Sequence, residues 1–259
     1  MDLKNSVALV TGAGSGIGKG AAIRLAREGA KVGVLSRTDV QILDVVQEIK
    51  DGGGEAMPLI ADVSQSDQLR SAVAELAEAY GGIQVVVANA GVNGLWAPIE
   101  QISEEDWDYT MDINLKGTFM TIKYALPWLR QSGGAIAVVA SVNGTRIFSN
   151  TGATAYACSK GGQVIMTKML APELAHDHVR INVICPGSIR TEISDNTVIS
   201  NQDIVWPVTF EKGQIPLTRD QPGTIEQCAD LIHFLVSDAS AHITGTELWI
   251  DGAQSLIKG

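Results

Sequence analysis

Apolar and polar positions follow two rhythms along this chain. Seven short runs are almost wholly apolar, at 7–11, 31–36, 55–60, 83–88, 135–140, 180–185 and 247–250. Runs of this length, rich in Val, Ile and Ala, suit strands that are covered on both faces. Between them the apolar positions recur at helical spacing and predict helices over 17–28, 39–51, 66–80, 103–131, 153–176 and 225–236. Ser103 followed by Asp106 marks one helix N-terminus, and Pro222-Gly223-Thr224 leads into the helix at 225–236. Strand and helix alternate throughout, which predicts an α/β fold with a parallel sheet wrapped by helices.

One segment breaks the alternation. Residues 191–223, between the sixth and seventh runs, hold Pro207, Pro216 and Pro222 with scattered apolar residues. A stretch of this length without a strand of its own is expected to be a flap or binding loop. The chain therefore reads as one domain over 1–259 with a substrate flap at about 191–223.

Composition narrows the choice of function. The 259 residues are 45% hydrophobic and 19% charged, ordinary for a chain that buries its own core. A net charge of −10 leaves no basic face for nucleic acid. Cys158, Cys185 and Cys228 share no paired spacing, so neither a disulfide framework nor a zinc site is expected; small, buried or half-buried thiols are. His176 and His178 flank Asp177 at the polar end of a helix, and no metal is expected. The N-terminal MDLKNSVALVTG runs straight into a strand, and no uncharged stretch suits a bilayer, so a cytoplasmic protein without a membrane partner is expected.

Chemistry first shows at residues 11–20, TGAGSGIGKG, where five of ten residues are glycine. Glycine in regular structure costs about 0.5–1 kcal/mol against alanine, so bare backbone must be needed there. A strand, a tight glycine turn and a helix N-terminus together make a cradle for a pyrophosphate, from free N–H groups and the positive end of the helix dipole. The spacing Gly12, Gly16, Gly18 is neither GxGxxG nor a P-loop, and by itself the turn is weak evidence.

Further pieces fall in order: ADVS at 61–64, ANAG at 88–91, Asn114 in MDINLKG, Ser141 in VVASVNG, YACSK at 156–160 and PGSIRT at 186–191. In order and spacing they resemble the short-chain dehydrogenase/reductase family, over essentially the whole chain to ITGTELWIDGA at 243–253. The resemblance implies a Rossmann-type, doubly wound domain, its seven-stranded, mainly parallel sheet ordered 3-2-1-4-5-6-7 with helices on both faces. It also implies hydride transfer between NAD(P)(H) and a carbonyl or secondary alcohol.

The resemblance further assigns roles. Tyr156 becomes the general acid and base, with Lys160 one helical turn away and the positive nicotinamide of the oxidised cofactor together favouring the phenolate. Bringing a phenol of pKa about 10 near neutrality requires roughly 4 kcal/mol. Ser141 would hydrogen-bond the substrate oxygen. Asn114 would hold a water between Lys160 and solvent. Ser141 and Tyr156 stand fifteen positions apart, two more than in many relatives, with the extra residues in the loop between them. Cofactor contacts are expected from Gly12, Ser15, Gly16, Ile17 and Gly18, then from Ser36 and Arg37 after the second strand. Asp62, Val63, Asn89, Ala90 and Gly91 would line the adenine side. Tyr156, Lys160, Pro186, Gly187, Ile189 and Thr191 would surround the nicotinamide and its ribose.

Position 36 carries Ser where NAD-preferring relatives carry an acid, and Arg37 follows. A 2′-phosphate would meet no repulsion there and a guanidinium to pair with, so NADP(H) is the expected cofactor and NAD(H) the lesser one. The substrate pocket is expected between Trp96, Ser141, Asn143, Tyr156, Gly187 and Trp206. A ketone or keto-ester reductase is the first expectation; a 3-oxoacyl thioester reductase and an NAD-dependent polyol or sugar dehydrogenase are the alternatives. A non-catalytic NADP sensor has no use for an intact Ser141, Tyr156 and Lys160. Apolar stripes over 103–131 and 153–176, with the tail LWIDGAQSLI, lead to an expected homotetramer.

Overall fold

A computed structural model describes residues 3–191, 197–200, 204 and 214–257. Its main sheet is built from β1 (Val7–Thr11), β2 (Lys31–Ser36), β3 (Glu55–Ile60), β4 (Val85–Ala88), β6 (Gly134–Val139), β7 (Val179–Pro186) and β9 (Glu247–Ile250). These strands lie in the order β3-β2-β1-β4-β6-β7-β9, and every neighbouring pair is parallel. Counted along the chain this is the expected 3-2-1-4-5-6-7 order. Strands buried on both faces explain the unbroken apolar runs.

The strand pleat divides the core in two. Val7 and Leu9 of β1 face α3 (Ser66–Tyr80), α5 (Gly117–Ser132) and α6 (Thr154–Ala175), where Leu69, Leu76, Ile122, Leu129, Val164 and Leu174 join them. Ala8 and Val10 face the other way, toward α1 (Gly16–Arg27), α2 (Asp39–Asp51) and α7 (Ile225–Val236), with Leu25, Ile42, Val46, Ile232 and Leu235. Close packing on that side needs Gly20, because a Cβ there would lie 2.2 Å from Ile225 Cγ2. The expected helix starts hold. Ser103 accepts from the Asp106 N–H in a capping box, and Thr224 does the same for Gln227.

Two expectations are corrected. The helix expected over 103–131 runs unbroken but is not α-helical throughout: α4 (Glu104–Met111) passes through a π-helical turn at Asp112–Lys116 before α5 begins. The Gly117 N–H bonds the Asp112 carbonyl, five residues back, so one extra residue is accommodated and the turn is wider than an α-helical one. Asn114 sits inside that turn. The segment 191–223 does contain a strand, β8 (Thr197–Ile199), which pairs in parallel with β5 (Gly94–Trp96) as a separate two-stranded ribbon. Its three residues are too few for a periodic signal, and the pairing is decided by where β5 lies in space.

Among the described residues no helix is long and apolar enough to cross a membrane. The cysteines are free; Cys185 and Cys228 are buried, while Cys158 is exposed on α6 rather than half-buried as expected.

Candidate active site

All the parallel strands point their carboxyl ends the same way, and the sequence-predicted site residues follow those ends. Gly12 follows β1, Ser36 closes β2, Asp62 follows β3, Asn89 follows β4, Ser141 follows β6 and Pro186 closes β7. From β1 the chain order in the sheet runs outward in both directions, and the crevice at such a switch point is where ligands bind in open α/β sheets. A cleft of about 400 Å³ lies there. Every residue expected to contact a cofactor lines it except Gly18.

The glycines divide by task. A Cβ at Gly18 would lie 2.3 Å from the Gly12 carbonyl oxygen, so Gly18 lets α1 pack against the turn and stands behind the cleft. Gly16 has a positive φ of 54° and faces Thr191 across the opening. Ser15 is the N-cap of α1, and its side chain makes no capping bond. The turn therefore presents a helix N-terminus and a hydroxyl to the cleft. Asp62 is the only carboxylate among the lining residues, against Arg37 and Lys160, so the cleft is locally cationic in an acidic chain. This donor set and charge fit a dinucleotide phosphate chain.

At the outer end Arg37 and Asp62 are 3.6 Å apart. Asp62 also accepts from the N–H and hydroxyl of Ser64. Thr38 and Gln41 line this end as well and were not anticipated. Their signal lay in their place just after Ser36 and Arg37, Thr38 as the N-cap of α2 and Gln41 in its first turn. The apolar lining residues Leu35, Ala61, Val139 and Ala140, at strand ends, and Val92 and Ile113, in a loop and the π-helical turn, were also missed, since buried apolar residues look like core in the sequence.

The inner end holds Ser141, Tyr156 and Lys160. Ser141 lies two residues beyond β6, and its Oγ accepts from the Asn143 N–H at 3.1 Å. Tyr156 and Lys160, four apart in the first two turns of α6, share one helix face. Both are buried, at 7% and 3% exposure. Lys160 Nζ donates to the Val139 carbonyl at 2.9 Å and lies 5.7 Å from the Tyr156 ring centroid. Burial pushes the Lys160 ammonium down to about 8 from its ordinary 10.5. Burial likewise pushes the Tyr156 phenol up, opposed by a hydrogen bond with Ser141. The chain without a cofactor thus holds Tyr156 protonated; the acidification expected from Lys160 together with an oxidised nicotinamide concerns the cofactor complex.

Asn114 does not line the cleft. It is fully buried beneath it, with Nδ2 donating to the Val92 carbonyl and Ser159 Oγ and Oδ1 accepting from the Val92 N–H. Of its side-chain capacity only one Oδ1 lone pair remains for the water expected there. Around the substrate end, Trp96 is tilted against Tyr156 at 6.4 Å between ring centroids. The β5–β8 ribbon holds Trp96 in place, its carbonyl accepting from the Ser200 N–H. Asn143 Oδ1 accepts from Asn150 in the 145–153 loop. Gly187 lines the cleft. Trp206 lies outside the described residues.

The family model described as enoyl-(acyl carrier protein) reductase matches residues 12–253. The chain belongs to the short-chain dehydrogenase/reductase family. It is 37% identical over 255 residues to the 3-oxoacyl-[acyl-carrier-protein] reductase FabG of Thermotoga maritima, covering 97% of this chain and 98% of that protein. It is 38% identical to the oxidoreductase UcpA of Salmonella typhimurium, covering 98% and 96%. Among solved structures, a 3-ketoacyl-ACP reductase from Sinorhizobium meliloti superposes with a TM-score of 0.89 at 46% identity, covering 97% of this chain and 99% of that one. Membership makes this chain an oxidoreductase of CH–OH and C=O groups, of a family that uses NAD(P)(H).

Proposed function

We propose that this short-chain dehydrogenase/reductase is an NADP(H)-dependent carbonyl reductase that interconverts a ketone or keto-ester with its secondary alcohol. One observation carries the reading: Ser141 and Tyr156 open into the same cationic cleft as Lys160 and the N-terminus of α1. Bound NADPH supplies the hydride, and NADP⁺ accepts it in the reverse direction.

The remaining chemistry belongs to the chain. The N–H groups at the start of α1 hold the pyrophosphate. Arg37 takes the 2′-phosphate, exchanging part of its pairing with Asp62 for a bidentate contact, and the Ser36 hydroxyl adds a donor. Ile189 and Thr191 orient the nicotinamide carboxamide. Ser141 fixes the substrate oxygen beside the Tyr156 hydroxyl, and Tyr156 delivers a proton to that oxygen as it gains charge. The buried phenol is protonated in advance, which suits reduction. The Lys160 ammonium stabilises the phenolate left behind and holds the nicotinamide ribose. Trp96 and Asn143 bound the substrate, with the flap at 191–223 as cover.

A 3-oxoacyl thioester reductase is the second reading, favoured by the titles of the Thermotoga and Sinorhizobium proteins. One experiment separates the readings: NADPH and NADH oxidation followed at about 340 nm against ketones, keto-esters and a 3-oxoacyl thioester. Turnover of simple ketones and keto-esters with NADPH is the expected result. Tyr156→Phe should lower kcat by about a thousandfold or more, within the range for general acid catalysis, and leave NADPH affinity within about twofold. Arg37→Ala should weaken NADPH binding by about tenfold or more and NADH by less than about twofold. Equal losses for both would remove the phosphate pairing.

A further inference from the structure

The π-helical turn that carries Asn114 is met by two buried side chains of α6: Ser159 bonds the Asn114 side chain, and Gln163 bonds the turn's backbone. Gln163, seven residues after Tyr156, is 1% exposed. Its Nε2 donates to the Asn114 carbonyl at 2.7 Å and to Thr118 Oγ1 at 2.8 Å. Thr118 in turn donates its hydroxyl proton to the same Asn114 carbonyl at 2.7 Å. That direction leaves Thr118 Oγ1 only as an acceptor toward Gln163, so the amide orientation is dictated by its partners. Both Gln163 N–H bonds are engaged, while Oε1 has no partner.

An unpaired buried oxygen is a cost that Leu or Met would avoid while filling the same space. The gain therefore lies in the two N–H bonds. Gly162, beside it, lets the turn come close, since a Cβ there would lie 2.9 Å from Leu115 Cδ2. The clamp reaches the site in two steps. Gln163 and Thr118 saturate the Asn114 carbonyl, and the Asn114 side chain pins Val92 and Ser159, the neighbours of Gly91 and Lys160. A Cβ on Gly91 would lie 3.2 Å from Asn114 Oδ1 and 3.4 Å from Lys160 Nζ. Both Gly91 and Val92 line the cleft.

We infer that Gln163 is a positioning residue for reduction, setting the π-helical turn so that Asn114 holds the Gly91–Val92 wall against Lys160. The inference rests on the carbonyl-reductase reading for its turnover readout alone.

Two substitutions test it. Gln163→Met keeps the volume and removes both donors; kcat should fall by about tenfold with the carbonyl KM within about threefold. Gln163→Glu has one O–H donor when neutral and none when ionised. Its kcat should lie above that of Gln163→Met near about pH 5.5, where one donor is restored, and fall toward it by about pH 9, a dependence that lost packing would not produce. A loss below about fivefold in Gln163→Met, or a ratio of Gln163→Glu to Gln163→Met that stays flat across that range, overturns the inference. Should these variants fail to fold, Thr118→Val removes one of the two Gln163 acceptors and the hydroxyl bond to the Asn114 carbonyl, and is judged by the same fivefold threshold. Wild type inert toward every carbonyl would sink the function reading by itself. Amide exchange at Val92 in the unliganded chain still decides Gln163: faster in Gln163→Met supports the clamp, and an unchanged rate overturns it.

Discussion

Tyr156 and Lys160 show how the same two residues read differently before and after burial is known. Their spacing in YACSK places them on one helix face, and the structure keeps them there. What spacing does not contain is the surrounding dielectric. Burial holds the phenol up and pushes the ammonium down to about 8. A lysine whose folded value lies below its unfolded 10.5 makes the unfolded chain bind the proton more tightly between about pH 8 and pH 10.5. Stability therefore rises with pH through that window, and the penalty is fully present below about pH 8. At 1.36 kcal/mol per unit the penalty is about 3 kcal/mol. Lys160→Met removes it but strands the Val139 carbonyl, at a cost of about 1 kcal/mol. The variant should be more stable by about 2 kcal/mol at pH 7, no more stable above about pH 10.5, and without turnover; calorimetry at the two pH values checks it. For the wild type, the rate of carbonyl reduction should decline above about pH 8 as Lys160 loses its charge.

At the scale of elements, the strand runs, the helix starts at Ser103 and Thr224 and the glycine turn were all legible, because each depends on residues close in sequence. The π-helical turn at Asp112–Lys116 was not. The contacts made at that turn come from far along the chain, Val92 from 22 residues away and Gln163 from 49. The tasks of the glycines were equally hidden: the pattern points to a phosphate cradle, yet Gly18 and Gly20 serve helix packing. Gly18→Ala should destabilise the chain by about 1–3 kcal/mol, because the added Cβ meets the backbone carbonyl of Gly12 as well as the Asn89 side-chain amide. Urea unfolding monitored by circular dichroism measures this, and a loss below about 0.5 kcal/mol would show that the turn can yield.

For the whole molecule, the apolar residues left outside both cores bear on assembly. Tyr109, Phe119, Ile165 and Met169, on α4, α5 and α6, stay exposed, as do Leu256 and Ile257 near the end of the chain. We propose that these two patches are covered by further copies of the chain, giving a homotetramer with isologous contacts. Light scattering at about micromolar concentration should return four times the chain mass, and Met169→Glu with Ile165→Glu should reduce it to a smaller species. A monomer for the wild type would refute the assembly.

By itself the sequence determined the α/β class, the positions of the main strands, the glycine turn and the placing of Tyr156 and Lys160 on one helix face. All of these rest on local periodicity or on spacing within one helix. Tertiary structure alone decided that Asn114 lies beneath the cleft rather than in it, that Gln163 clamps it, that β8 joins β5 in the flap, and that Arg37 meets Asp62. Each of these is a contact between segments distant in the chain, where hydrogen-bond capacity and burial, invisible to periodicity, select the partner.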